Sequence, residues 1–161
     1  MKKIKNILCA AIFTLLFSTI SNTVQAQNSF GGGLTINGGL ANAIGLDARA
    51  RFGISETLAI GTDLNYISFD GGALIGYNGN VQYILGDTDA FSYYPMAGLN
   101  ITTFSLGSFG SANVLGLNLG GGGNYMVNDK LSVFSEFKLV MALNESLGNR
   151  SVLTFGVMFT P

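Results

Sequence analysis

Apolar and polar residues alternate along most of the chain with a period of two, not with the 3.6-residue period of a helix. In the stretch 44–52, every second side chain is apolar, and Asp47 and Arg49 lie between them. The stretches 58–66 and 115–125 largely repeat this alternation. Because a strand places successive side chains on opposite faces, each segment is predicted to be a β-strand with one apolar and one polar face.

Eight such segments are predicted, separated by turn-forming residues such as those at 70–72, 86–89 and 128–130. The predicted strands are residues 30–38, 44–53, 58–69, 73–85, 92–104, 112–127, 131–143 and 150–160. Short connections make neighbouring strands antiparallel, and an even number brings the last strand beside the first, so that closure leaves no unpaired edge. The predicted fold class is all-β, an eight-stranded antiparallel up-and-down β-barrel.

The first 26 residues differ in composition from the rest of the chain. Three lysines among the first five residues precede an apolar run at 7–20, and Ala26 completes a small-residue cleavage site. An apolar run of about 14 residues is shorter than the ~20 that a membrane-spanning helix needs. Residues 1–26 are therefore predicted to be a cleaved export signal, and residues 27–161 to form a single barrel domain.

The composition bears on which solvent the apolar faces meet. A soluble barrel of the lipocalin kind shows the same alternation with its apolar residues inside. Here only 11% of the residues are charged, against about a quarter in soluble domains. The polar faces carry mostly Gly, Asn, Ser and Thr, which suit a crowded interior better than a water-facing exterior. We therefore expect a transmembrane barrel with outward apolar faces, and keep the lipocalin-like barrel as the less favoured alternative.

Aromatic residues cluster near the strand ends that an up-and-down barrel brings to one rim. They are Phe30, Phe52, Tyr83, Tyr93, Tyr125 and Phe159. This distribution is typical of the aromatic girdle at a membrane interface, although strands favour Phe and Tyr in any barrel. Pro95 is discordant, because it has no N–H for a ladder bond and so predicts a bulge or a later start of its strand.

The N-terminal signal, the eight alternating strands and the C-terminal segment 153–159 resemble the small outer-membrane β-barrel family typified by OmpA and OmpX. The resemblance covers about residues 29–161. It implies a Gram-negative outer-membrane location and insertion by the barrel-assembly machinery, with Phe159 as the terminal aromatic residue of the recognition signal. Thr160 and Pro161 follow Phe159, which departs from the usual ending.

The alternation also places six charged residues inside the predicted barrel. They are Asp47, Arg49, Arg51, Asp63, Glu136 and Lys138. Three are acidic and three are basic, so we predict a neutral plug of ion pairs. The hairpin between the second and third strands is expected to oppose Phe52 to Leu58. Arg49 then lies diagonal to Asp63, close enough to form an ion pair.

No catalytic, metal or cofactor site is predicted, and we expect no enzyme activity. The sequence contains no histidine, the commonest general base and metal ligand. The glycine run at 120–123 lacks the following Lys-Ser or Lys-Thr of a phosphate-binding loop. Residues 27–161 hold five basic and nine acidic residues, a net charge of −4 that disfavours nucleic acid as a partner.

Two functions fit these expectations. The first is a monomeric outer-membrane protein with a structural or surface-interaction role and a mostly filled polar lumen, whose partners are membrane lipids and the assembly machinery. The second is a narrow porin-like pore for water or small solutes. Glycine-rich polar faces favour the pore, but eight strands leave room for little more than side chains. We favour the first function.

Overall fold

The computed structural model describes residues 28–39, 42–88, 90–107, 110–143 and 148–161, and the predicted signal at 1–26 lies outside them. The strands are β1 (Ser29–Gly38), β2 (Ala43–Gly53), β3 (Leu58–Phe69), β4 (Gly72–Tyr83), β5 (Leu85–Thr88), β6 (Phe91–Ser105), β7 (Ser111–Asn128), β8 (Leu131–Ala142) and β9 (Arg150–Phe159). Each predicted strand is found, the fourth in two pieces. The turn expected at 86–89 is wrong, because β5 continues to Thr88 and pairs with Phe91.

The strands form one closed antiparallel sheet. Successive strands pair along the chain, and β1 also pairs with β9 from Phe30 opposite Phe159 to Gly38 opposite Ser151. Because β4 and β5 both pair with β6, they occupy a single strand position in the barrel wall. We call each such position a stave, and the barrel has eight staves. The predicted eight-stranded antiparallel barrel is confirmed. Within the described ranges, no helix is long and apolar enough to cross a membrane.

The stave made of β4 and β5 is interrupted opposite Pro95. Pairing of β4 with β6 stops at Gln82, and pairing of β5 with β6 resumes at Leu85. Pro95 of β6 faces this gap and has no N–H to donate. On the side away from Pro95, the N–H of Ile84 donates to the carbonyl of Thr57, at 2.7 Å. The irregularity predicted from the proline therefore lies in the neighbouring stave, and β6 itself runs unbroken.

Alternate side chains point into the barrel and away from it. In β3, exposed and buried residues alternate strictly along most of the strand. The outward leucines Leu46, Leu64 and Leu117 expose 62%, 41% and 40% of their surface, and Phe155 exposes 42%. Asn118, next to Leu117, is only 2% exposed. The predicted facing, with apolar residues outward and polar residues inward, is confirmed.

The two rims of the barrel differ in the connections they carry. The terminal rim, where β1 begins and β9 ends, carries the connections 54–57, 89–90 and 129–130. The loop rim, at the opposite end, carries the connections 39–42, 70–71, 106–110 and 143–149. A side chain's position between these rims decides which neighbours it meets across the lumen.

The lumen is less uniformly polar than expected. Toward the loop rim, five inward aliphatic side chains form an aliphatic layer, each 4% exposed or less: Ile67, Leu74, Val114, Val140 and Val152. Toward the terminal rim, Tyr94, Met96, Phe134 and Met158 are also buried. Most of the charged and amide side chains lie between these two apolar regions, so few of them meet bulk water.

Candidate functional site in the barrel lumen

The six predicted lumen charges all lie inside the barrel, and five of them belong to one connected set of ion pairs. Lys138 Nζ lies 2.7 Å from Asp63 Oδ1 and 3.8 Å from Glu136 Oε1. The three side chains are 1%, 4% and 2% exposed. An isolated charge in such a dry interior is strongly unfavourable, so these groups depend on one another for compensation.

Arg49 connects this group to the fifth charge, Asp47. Arg49 Nε donates to Asp47 Oδ1 at 2.6 Å, and Arg49 Nη1 donates to Glu136 Oε2 at 3.3 Å. The guanidinium also lies over the ring of Phe134, 3.8 Å from its centroid, in cation–π geometry. Arg49 therefore bridges β2 and β8 through the interior of the barrel.

The register of the β2–β3 hairpin differs from the predicted one. Phe52 lies opposite Ile60, a shift of two residues, and Arg49 lies directly opposite Asp63 instead of diagonal to it. Nevertheless, these two side chains form no ion pair in the described part of the chain. Asp63 is occupied by Lys138 from across the lumen, and Arg49 is held by other carboxylates. The predicted Arg49–Asp63 ion pair is wrong.

Buried asparagines extend the ion pairs into a hydrogen-bonded network. Asn78 Nδ2 donates to Asp63 Oδ1 at 2.7 Å and to Asn65 Oδ1 at 3.1 Å. Asn78 Oδ1 accepts from Asn100 at 2.8 Å and from Asn118 at 2.9 Å. An amide both donates and accepts, so it can link a carboxylate to the next amide. The sequence signal for these residues is their position on the same strand faces as the charges.

Arg150 is a seventh charge in the described lumen and was not predicted from the sequence. Its Nη2 donates to Asn100 Oδ1 at 3.3 Å and to Thr102 Oγ1 at 2.5 Å, so the side chain crosses from β9 to β6. It shares its strand face with the buried residues Val152 and Thr154, and that parity could have identified it. The described lumen thus holds four basic and three acidic side chains, and the predicted balance of three against three was incomplete.

Arg51 lies at the end of the network nearest the terminal rim. Its guanidinium carbon is 4.6 Å from the centroid of the Tyr94 ring, and Tyr94 Oη donates to Glu136 Oε2 at 3.1 Å. Among the described residues, no carboxylate lies within ion-pair distance of Arg51. Gly122 leaves room for the tyrosine, because a Cβ at this position would lie 2.7 Å from Tyr94 Oη.

The described part of the lumen includes two small cavities. One, of about 20 Å³, is beside Arg150 near the loop rim. The other, of about 10 Å³, is lined by residues that include Arg49, Arg51, Gln82 and Glu136. Each has room for about one water molecule. No cluster of metal-ligating side chains occurs within the described ranges.

The six aromatic residues predicted to form a girdle all lie on the outer surface near the terminal rim. Five of them are 47% to 52% exposed, namely Phe30, Tyr83, Tyr93, Tyr125 and Phe159. The sixth, Phe52, packs edge-to-face against Phe30 with ring centroids 6.1 Å apart. Phe91, which was not predicted, stacks on Tyr93 at 6.3 Å. We call these seven residues the aromatic belt.

Several solved structures share this architecture. Neisserial surface protein A (NspA) superposes with a TM-score of 0.66 at 15% identity, covering 83% of this chain and 97% of that one. The N-terminal β-barrel domain of Pseudomonas aeruginosa OprF gives 0.62 at 16% identity, covering 84% and 98%. Ail, the attachment invasion locus protein of Yersinia pestis, gives 0.60 at 12% identity, covering 83% and 97%. No protein-family model and no curated protein sequence matches the chain.

This chain has the fold of the small eight-stranded outer-membrane β-barrels. At these sequence identities the likeness establishes the fold alone. The role of the lumen has to be inferred from the contacts of its own side chains. The facing of the side chains distinguishes the transmembrane barrel from the lipocalin-like barrel. A lipocalin-like barrel needs an apolar interior and a polar exterior, whereas here Asn78 and Asn118 are buried and Leu99 is 65% exposed. The lipocalin-like barrel, with its apolar residues inside, is therefore wrong.

Proposed function

We propose that this protein is an integral outer-membrane β-barrel with a structural or surface-interaction role and a lumen that does not conduct ions. Its membrane location is supported by the outer surface, where Ile44, Leu99 and Leu115 expose 65%, 65% and 58% of their area. Contiguous exposed apolar surface on this scale marks contact with a membrane or a partner. In a barrel with a paired ladder, that surface is matched by the hydrocarbon of a bilayer.

The orientation follows from the two rims. Barrels of this kind have short turns on the periplasmic side and longer loops outside. We place the terminal rim in the periplasm, with the aromatic belt at the adjacent lipid–water boundary. The loop rim, with the connections 106–110 and 143–149, then faces the outside of the cell.

The filled lumen is the observation that carries the non-conducting assignment. Side chains cross it at several levels: Tyr94 reaches Glu136, Lys138 reaches Asp63, and Arg150 reaches Thr102. The aliphatic layer lies among these contacts near the loop rim. An ion could pass only by separating buried ion pairs, which leaves charges uncompensated in a medium of low polarity.

The surface-interaction part of the proposal is supported by what two neighbours are called. NspA is a surface protein and Ail an attachment invasion locus protein, and Ail has also been crystallised with the heparin analogue sucrose octasulfate. We carry over only the idea that the loop rim contacts molecules outside the cell. The short loops of this chain limit the area that such a contact can use.

The remaining parts of the proposal come from the sequence. Residues 1–26 serve as a cleaved export signal, the barrel-assembly machinery inserts residues 27–161 through a signal ending at Phe159, and the barrel works as a monomer among outer-membrane lipids. The proposal includes no enzyme activity, cofactor or nucleic-acid partner.

A narrow pore for water or small solutes is the second candidate. It is favoured by one observation, the run of polar side chains from Asp47 through Asn78 and Asn100 to Arg150 along much of the lumen. Planar-bilayer recording on the refolded mature protein separates the two candidates. We expect no steady current above the lipid background, and discrete, reproducible conductance steps would establish the pore instead.

A second measurement shows whether the protein is present as a folded membrane barrel in these recordings. The mature protein should fractionate with outer membranes and migrate differently on gels before and after boiling, because a closed ladder resists detergent. The same gel shift on the reconstituted sample serves as the control for insertion. Recovery in the soluble periplasmic fraction would contradict the membrane assignment.

A further inference from the structure

Four buried polar atoms without a hydrogen-bond partner belong to residues that line one cavity. Arg49 Nη2 and Arg51 Nε are donors, whereas Gln82 Oε1 and Glu136 Oε1 are acceptors. All four residues line the cavity of about 10 Å³ toward the terminal rim. Buried polar groups in proteins are nearly always paired, with protein groups or with ordered water. Because the four residues line the same cavity, one bound species could satisfy all four atoms.

The mixture of donors and acceptors restricts what this cavity can bind. A chloride ion would accept from the two arginines but would be repelled by the oxygens of Gln82 and Glu136. A sodium or ammonium ion would suit the two oxygens but would be repelled by both guanidinium groups. Water donates two hydrogen bonds and accepts two, which matches two acceptors and two donors. We propose that this cavity is the binding site of one structural water molecule.

Gly61 makes the site possible. It lies opposite Arg51 in the sheet and also lines the cavity. A Cβ at this position would lie 2.7 Å from Gln82 Nε2 and 3.1 Å from Gln82 Cδ. The missing side chain therefore lets Gln82 lie across the strand, where it is only 3% exposed. Gln82 thus contributes its Oε1 to the site as one of the two acceptors.

The water gives Arg51 its connection to the rest of the lumen. Arg51 stacks on Tyr94, and its Nε has no partner among the protein atoms. The bound water accepts from this Nε and donates to Glu136, so it links the unpaired cation to the ion-pair network. This inference concerns the packing of the lumen and does not depend on the surface role proposed above.

The test is a water-to-protein NOE experiment on ¹⁵N-labelled protein in lipid nanodiscs, observed at the Nε–H of Arg51. We expect cross-peaks of opposite sign in the laboratory-frame and rotating-frame spectra, which is the signature of a bound rather than a diffusing water. Gly61→Ala should abolish the cross-peak, because the new methyl group displaces Gln82 into the cavity. Gln82→Met, which removes the acceptor, should weaken it strongly and serves if Gly61→Ala fails to fold.

Two variants control for other sources of the signal. Gly79→Ala, whose Cβ meets no atom within 4 Å, should leave the cross-peak unchanged. Tyr94→Phe should also preserve it, which excludes relay through the tyrosine hydroxyl. A chloride titration should leave the Arg51 Nε resonance in place.

Three results would overturn the proposal. The first is a folded wild-type barrel with no cross-peak at Arg51, and the second is a cross-peak that survives in Gly61→Ala and Gln82→Met alike. A resonance that moves with chloride concentration would assign the site to an anion. Bilayer recording is independent of these signals, so the failure of this inference and the failure of the non-conducting assignment are distinguishable.

Discussion

The lumen and the outer surface of this barrel use alternate residues of the same strands, but they obey different physical rules. On the outer surface, a side chain such as Leu117 is 40% exposed and contributes through its own contact with lipid. In the lumen, Lys138 contacts both Asp63 and Glu136, and Asp63 also accepts from Asn78. Outer positions should therefore behave independently, whereas lumen positions should be coupled.

The largest expected effect on stability comes from removing one member of the Lys138–Asp63 ion pair. Lys138→Met removes the cation that pairs with Asp63 and leaves Glu136 with Arg49 as its remaining cation. We expect the free energy of unfolding to fall by about 3 to 5 kcal/mol. Asp63→Leu should be similarly costly, and the double variant should recover much of the loss. Urea unfolding of the barrel in lipid vesicles measures all three variants.

The matched control for this cycle lies on the outer surface. Leu46 lies on β2 and Leu117 on β7, two strands that do not pair with each other. The losses of unfolding free energy caused by Leu46→Ala and Leu117→Ala should therefore add to within about 0.5 kcal/mol. Simple addition in the Lys138–Asp63 cycle as well would contradict the coupled network. The barrel interior would then be wet enough to solvate each charge separately.

A smaller loss is expected when a charge is placed on the outer surface. Leu117→Arg near the middle of the hydrocarbon should cost about 2 to 4 kcal/mol. Its inward neighbour Asn118 donates to Asn80 at 2.8 Å, and Asn118→Ser should cost about 1 kcal/mol for the weakened hydrogen bonding. The same vesicle unfolding assay measures both variants, and the opposite order would show that the facing is reversed.

The smallest effect compares two glycines on opposite faces. Gly122→Ala would bring a methyl group within 2.8 Å of the Ser135 carbonyl and 2.7 Å of Tyr94 Oη, so we expect a loss of about 1 to 3 kcal/mol from overpacking. Gly79→Ala faces outward and meets nothing within 4 Å, so its stability should change little. Equal unfolding free energies for Gly122→Ala and Gly79→Ala would show that the groups around Tyr94 move aside at no measurable cost.

Most of the fold could be predicted from local sequence. The period of two assigned Leu46 and Asp47 to opposite faces without reference to any other strand, because the pleat of a strand is a local property. Turn residues such as those at 70–71 divided the chain into strands, and short connections made them antiparallel. The division of the fourth predicted strand into β4 and β5 was harder to predict from the sequence. Pro95 lies in β6, but the ladder is interrupted in the neighbouring strand.

The sequence predicted six of the charged residues in the lumen, but it did not predict which of them form ion pairs. Parity alone put Asp63, Glu136 and Lys138 in the lumen, and the same rule applied to Arg150 would have added the seventh charge. The partners depend on the register and on barrel closure. A shift of two residues preserves every facing, so the alternation could not distinguish Phe52 opposite Leu58 from the observed Phe52 opposite Ile60.

By itself, the sequence determined which residues face inward, because side-chain direction repeats locally with the pleat. Only the tertiary structure decided which of them meet: Lys138 and Asp63 are 75 residues apart, and Arg49 and Glu136 are 87 apart. Those meetings are set by the stagger of the strands around the closed barrel, which is a collective property of all eight staves. Buried charges then pair with the partners that register and closure bring within reach, because an uncompensated charge in the lumen is costly.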